Sequence, residues 1–377
     1  MPAVSYTDAL NDALERLDDL GYERGQGVDL ANHGPMGAEA LVLLGMGDDV
    51  ARWVVRYRRA MEHHEPPAAL LRVDPADEAS WRPALGDIRR AGDWERLFGA
   101  ELAEAHWRDV LARWWPRLLP GLFAGLTHGV IRTAHAVRGL YTAGNAATGL
   151  QLRELARGLA YWAARYTELP GTPRLTGTRA VSAAVEALPR VPLPGGLTAE
   201  AARERFGALE ELPHYSAALG WIGPDQAPLL LTEMTLQFAD VYLGHPEVYP
   251  VPLIHGVTAP AAVRLVLPHL PTELHGPTVA RLWQVQTAFL LALTVDRRDE
   301  GTGAWRAEVP DLPPVHELAP RAAEHGDEHV VKFTEACLRE YALRPDQRYP
   351  AAAYAALRRI NPLDGGGGVG AFSPDRV

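Results

Sequence analysis

Apolar residues recur at helical spacing through almost the whole chain, and this periodicity leaves little room for a sheet. Residues 8–20, DALNDALERLDDL, put Ala9, Leu10, Ala13, Leu14, Leu17 and Leu20 on one helix face, with Gly21 following as a stop. The same pattern returns at 48–64, 106–115, 150–166, 225–244, 277–295 and 327–343, in segments filled with the good helix formers Ala, Leu, Arg and Glu. Alternating β-branched runs bounded by turn signals are almost absent. Pro-rich breaks at 65–75, 169–178, 188–196 and 309–320 punctuate the helices, and no repeat of fixed period is found. The expectation is an all-α fold: one large multi-helix bundle over residues 1–360, a candidate hinge near 170–200, and a flexible Gly-rich tail at 361–377.

Composition narrows the function classes. The chain has 377 residues, 47% of them hydrophobic, enough for a large core. Its formal charge of −10 shows no basic stripe and argues against a nucleic-acid partner. The apolar run TAFLLALTV (287–295) is about half the length needed to span a bilayer, so no membrane partner is expected. The N-terminus lacks the pattern of a signal peptide, and a single cysteine, Cys337, forms no internal disulfide. A cytoplasmic protein acting on a small molecule is expected, its oligomeric state unspecified. The tail GGGGVG (365–370) satisfies G-x-G-x-x-G, but without a strand before it and a helix after it this is not a dinucleotide fingerprint.

The 37 basic residues are arginines with one exception, Lys332, in EHGDEHVVKFTEA (324–336). An Arg- and Ala-rich composition can deplete lysine without a functional cause, and then the survivor should sit on a solvated face. It sits instead between Val331 and Phe333, where a charged ammonium is costly unless paired or neutralised. A lysine kept there does something a guanidinium cannot. It can form a Schiff base, act as a general base, or add carbon dioxide to become a carbamate that binds metal. The residues alone leave all three open.

Several of the fourteen histidines also occupy apolar or Gly/Pro-shaped settings. His33 lies in LANHGPMG. His128 and His135, seven apart in THGVIRTAH, share a helix face. His255 lies in PLIHGVTAP, before a helix that Pro260 is expected to start. His329 and Lys332 are helix neighbours, with His325 expected one turn earlier. His63 and His64 read as solvated helix-end residues, while His106, His214, His245, His269, His275 and His316 carry no local feature that separates ligand from surface. A lone histidine in an apolar helix most often fills space and donates to a carbonyl. HGDEH (325–329) also matches the H-x-x-E-H zinc-peptidase pattern, although Gly326 interrupts it and only 48 residues remain for a third ligand.

Taken as an ordered set, N-H-G-P-M (32–36), T-H-G-V-I-R (127–132), L-I-H-G-V-T (253–258) and D-E-H-V-V-K-F (327–333) resemble the questin oxidase-like family, over residues 25–345. Members of that family are largely helical and tailor aromatic polyketides in secondary metabolism, using dioxygen to open a ring of an anthraquinone-type substrate. The resemblance implies a mononuclear Fe(II) held by four histidines and a carboxylated lysine. Carried over by motif, these are His33, His128, His255, His329 and Lys332, with His329 and Lys332 closest to the chemistry. His135 and His325 fall outside the motif positions and are expected to support or to be structural. The partners implied are a small aromatic substrate and dioxygen, and the cofactors are iron and carbon dioxide as the lysine carbamate.

Arg132 has two readings, a group that orients a phenolate or carboxylate and a salt bridge within the bundle. Trp283, Tyr161, Trp162 and Phe333 either wall a flat substrate or belong to ordinary core. Two other classes stay open. One is an NADPH-dependent Baeyer–Villiger-type monooxygenase without its own metal; the other is a non-enzymatic helical binding protein.

Overall fold

The computed structural model describes residues 5–26, 29–193, 196–246, 248–296 and 300–363. The tail motif at 365–370 lies outside them. Among the described residues the fold is all-α, with eighteen α-helices and a single two-stranded antiparallel ribbon. Residue contacts group the chain into two compact units, Met1–Glu168 with Leu265–Pro271, and Leu169–Arg264 with Thr272–Val377. The chain first changes unit where the Pro-rich stretch 169–178 begins.

The first unit carries α1 (Tyr6–Leu17), the ribbon β1 (Glu23–Arg24) and β2 (Leu30–Ala31), α2 (Gly34–Leu43), α3 (Val50–Ala60) and α4 (Glu78–Trp81). It continues through α5 (Ala91–Glu104), α6 (Trp107–Leu118), α7 (His128–Ala143) and α8 (Gly149–Ala164). Helix α1 buries the expected Ala9, Leu10, Ala13, Leu14 and Leu17, and the Ser5 side chain caps it by accepting from the Asp8 N–H. It ends at Leu17, before the expected stop. Gly21 serves a different need: a Cβ there would meet the Glu65 carbonyl oxygen at 2.5 Å, so it lets two backbones touch. Helices α7 and α8 pack through glycines on facing sides. A Cβ on Gly129 would lie 2.7 Å from Trp162 Cα, and one on Gly158 would lie 3.0 Å from Thr133 Cα. That close approach fixes α7, which begins at His128, against α8.

The second unit carries α9 (Val181–Ala187), α10 (Ala199–Gly207), α11 (Tyr215–Ala218), α12 (Ala227–Gly244) and α13 (Pro250–Val266). It continues with α14 (His275–Leu293), α15 (Trp305–Glu308), α16 (Val315–His325), α17 (Glu328–Leu343) and α18 (Arg348–Arg359). The stretch Pro250–His269 is long and apolar enough to cross a membrane by length and composition, beyond the 287–295 run singled out from sequence. It is 83% buried inside the protein, as a core helix that is apolar on every side must be. Pro260 does not start a helix as expected; it lies inside α13. The helix starts instead at Pro250 and Pro252, whose missing N–H groups cost nothing in a first turn. An interior proline deprives the carbonyl four residues back of its donor. That carbonyl, Gly256 O, accepts from the Gln286 side chain at 2.8 Å, which repairs the loss.

Candidate metal centre

The N-H-G-P-M stretch is built as a cap. Asn32 donates through its side chain to the Gly21 carbonyl at 2.8 Å, and its Oδ1 accepts from the Gly34 N–H at 3.0 Å. The buried Tyr57 hydroxyl donates to the same Oδ1 at 3.0 Å and accepts the His33 N–H at 2.8 Å. His33 is thereby locked as the N-cap residue of α2, with Pro35 in the first turn. Burial raises the Tyr57 pKa against the opposing pull of the Arg24 cation, the neighbouring N–H groups and Arg132. The hydroxyl stays neutral and can both donate and accept.

His128 is set by strained backbone. Gly125, Leu126 and Thr127 run through the left-handed region with φ of 52°, 54° and 73°. Two of the three carry side chains, a cost of order 1–3 kcal/mol each that the surrounding structure must impose. The turn brings the Gly125 carbonyl against His128 Nδ1. A carbonyl only accepts, so Nδ1 carries the proton and Nε2 presents a lone pair. His33 Nε2 lies 2.7 Å from His128 Nε2, with ring centroids 4.5 Å apart, and both residues are buried. Two buried imidazole nitrogens aimed at one point need a proton or a cation between them. Fixing the far nitrogen on a carbonyl is how metal-binding histidines are held.

Further along α7, Arg132 donates to both oxygens of Glu154 on α8, at 2.7 and 2.9 Å, within the buried interior. His135 Nδ1 meets Glu39 on α2 at 2.7 Å, and Glu39 also receives Arg138 Nε at 2.7 Å and the Tyr6 hydroxyl at 2.8 Å. Burial works against the Glu39 charge, but Arg138 and His135 hold its pKa below the usual carboxylate range. His135 therefore belongs to a buried ion-pair network joining α2 to α7.

In the second unit His255 sits inside α13, buried, one residue before the repaired Gly256 carbonyl. His329 and Lys332 lie on α17 as expected, and Lys332 is 5% exposed with Val331 and Phe333 fully buried beside it. His325 does not precede them on the same helix. It ends α16, and Gly326, left-handed at φ 81°, breaks the chain before Asp327 starts α17. The H-x-x-E-H residues thus span two helices, and His325 Nε2 lies 3.0 Å from the Ile360 carbonyl. Asp327 caps α17 by accepting from the His329 and Val330 N–H groups, and its Oδ1 lies 3.4 Å from His329 Nδ1. Burial opposes the Asp327 charge, yet the His329 contact and the cap N–H groups hold its pKa below the usual value.

The structure thus pairs His33 with His128 in one unit and carries His255, His329 and Lys332 in the other. Asp327, Glu328 and His329 offer ligand atoms within 4.8 Å of one another, as do Glu23, Asp29 and His64. In the second of these triads Arg165 already neutralises Glu23. Two supporting groups were missed from sequence. Tyr57 leaves no local signal, whereas Asp327, directly before an apolar helix, reads as an N-cap.

Other expectations change. His63 is half-buried beside Tyr57, 5.2 Å between rings, because the strand-like pairing Arg24–His63 draws it in. Burial and the neighbouring Arg24 and Arg58 push its pKa down to about 4. Trp283, Trp162 and Tyr161 are fully buried and bonded to Ala218, Gly121 and Glu23, and Phe333 packs edge-on to Tyr242. These four aromatic residues are core. Compared with known proteins, the chain matches no family model and no curated protein.

Proposed function

We propose that the chain is a non-haem iron-dependent oxygenase that cleaves a ring carbon–carbon bond of an aromatic polyketide or quinone-type substrate. The observation that carries the metal part is the buried His33–His128 pair, with Nε2 atoms 2.7 Å apart and the far nitrogen of His128 fixed on a carbonyl. The reaction class rests on the ordered motifs that resemble the questin oxidase-like family.

In this reading His33, His128, His255, His329 and Lys332 hold one Fe(II), as the ordered motifs imply. The donor set suits it, since imidazoles with an anionic oxygen favour iron with a position left for dioxygen. Asp327 beside His329 Nδ1 acts as the carbonyl does for His128, leaving Nε2 as the donor. The neutral Nζ of Lys332 adds carbon dioxide: a new N–C bond forms, a proton leaves Nζ for solvent, and the arm becomes an anionic oxygen donor. Arginine cannot do this, which accounts for the single lysine. Bound Fe(II) supplies activation of dioxygen beside an electron-rich ring. Burial of His33, His128, His255 and Lys332 limits access of water to these donors, and the Gly125 carbonyl and Asp327 orient the imidazoles of His128 and His329.

The test uses protein purified with added Fe(II), a hydroxyanthraquinone reduced beforehand to its quinol, and ¹⁸O₂, so that the quinol supplies the electrons and both oxygen atoms enter the product. Ring opening without NADPH, lost on chelation and restored by Fe(II), is expected. Turnover by metal-free protein that requires NADPH would replace this reading with the monooxygenase.

A further inference from the structure

Arg132 realises the salt-bridge reading of the sequence, but the pair with Glu154 uses only part of the guanidinium. Nε and Nη2 each donate to one Glu154 oxygen, at 2.7 and 2.9 Å. Nη1 is buried and meets no hydrogen-bond partner among the described residues, although Arg132 as a whole is 2% exposed. A buried N–H of a charged group is rarely left unmade without a reason. Its position on α7 supplies one. Arg132 lies four residues after His128, one helical turn along the same face. Its guanidinium carbon stands 5.4 Å from the centre of the Tyr22 ring, and its charge reaches the Tyr57 hydroxyl that holds the His33 N–H.

We propose that Arg132 Nη1 is a recognition point for an anionic oxygen, the phenolate or carboxylate of an aromatic substrate, presented on the same helix face as His128. The inference rests on the iron-oxygenase reading and adds the charge that the substrate must carry. Glu154 fixes the guanidinium plane, so Nη1 is aimed before the ligand arrives, and such preorganised charged donors discriminate strongly. The Tyr22 ring, stacked on Tyr161 and lying against the guanidinium, helps to hold that plane. A cation already paired with Glu154 gains an anion without leaving a buried charge uncompensated, because the bound metal offsets it.

The test is equilibrium binding to iron-loaded protein, read by visible absorbance, with 1,8-dihydroxyanthraquinone and its dimethyl ether as probes. The dihydroxy probe should bind wild type with the red-shifted band of its ionised form, at a pH where the free probe is neutral. Arg132→Lys keeps a cation for Glu154 but loses the planar fork, and with it Nη1 as a donor aimed away from Glu154. It should weaken that binding by about 10-fold to 100-fold, as expected for one hydrogen bond to a charged group. The red shift should disappear, while the dimethyl ether should bind wild type and variant alike. Should Arg132→Lys misfold, the paired Arg132→Met/Glu154→Met replaces the ion pair with apolar bulk and carries the same expectation. Equal affinity and an unchanged spectrum in a folded variant would mean that water alone satisfies Nη1, and would overturn the proposal. So would wild type that binds neither probe. Binding that depends on Arg132 in a protein that never opens a ring would retain this site and reject the oxygenase reading.

Discussion

Replacing Gly129 by alanine adds one methyl group where α7 meets α8. The new Cβ would lie 2.7 Å from Trp162 Cα and 2.8 Å from its Cβ. Carbon atoms pack at about 3.5–4.0 Å, so the helices must part by about 1 Å. The atoms met are backbone and its first carbon, which cannot rotate away, so the overpacking cost falls toward the upper end of about 1–3 kcal/mol. Against this, alanine gains about 1 kcal/mol of helix propensity over glycine. The net expectation is a loss of about 1–2 kcal/mol. Gly99 on α5 is the matched control, since a Cβ there meets nothing within 4 Å. Gly99→Ala keeps only the propensity term and should stabilise by up to about 1 kcal/mol. Urea unfolding of both variants at constant slope reads the two shifts. Opposite signs are expected. If Gly129→Ala stabilises as Gly99→Ala does, α7 and α8 do not approach through that glycine, and the placement of His128 and Arg132 against α8 fails with it.

His63, with a folded pKa near 4 against an ordinary 6.5, binds its proton less readily folded than unfolded. Its contribution is complete above pH 6.5 and is lost as pH falls toward 4, so stability should rise with pH across that window, and His63→Phe should flatten the rise. NMR titration of the ring should show no protonation at pH 6. In the second unit Glu300 is held by His245 and by Arg190, which donates from Nε at 2.9 Å. Burial opposes its charge, but these partners bring its pKa down to about 2. That stabilisation is present above pH 4.5 and lost as pH falls through about 2; Glu300→Gln should cost about 3 kcal/mol in urea at pH 7 by leaving Arg190 buried beside a neutral amide.

Helices were legible because their signal is local. The 3.6-residue period in 8–20 or 150–166 requires no knowledge of the partner face, and α1 and α8 follow it. Where helices begin and end depends on long-range repair. Pro260 reads as a helix start until Gln286, thirty residues beyond Gly256 and 2.8 Å from its carbonyl, makes an interior proline tolerable. Gly21 reads as a C-cap until the His64–Glu65 backbone arrives beside it. The site divides in the same way. The N-H-G-P-M turn is local and visible, and the Asp327 cap, though missed, carries a local signal. The contact between His33 and His128 crosses 95 residues and carries no trace in either segment. His63 is misread for that reason too, since the strand that draws it inward lies at Arg24.

The central claim is one iron ion held jointly by His33, His128, His255, His329 and carboxylated Lys332. The direct measurement is metal content per chain, after reconstitution with Fe(II) and ¹³C-bicarbonate, for wild type, His128→Ala, Lys332→Arg and Lys332→Ala. A zinc-loaded wild-type sample serves for carbon NMR of the diamagnetic protein. The account predicts about one iron per chain in wild type and a carbamate carbon signal that stripping carbon dioxide removes. It predicts loss of iron in all three variants, with Lys332→Arg as deficient as Lys332→Ala. Full iron occupancy in folded Lys332→Arg, or a loaded wild type with no carbamate carbon, would contradict it.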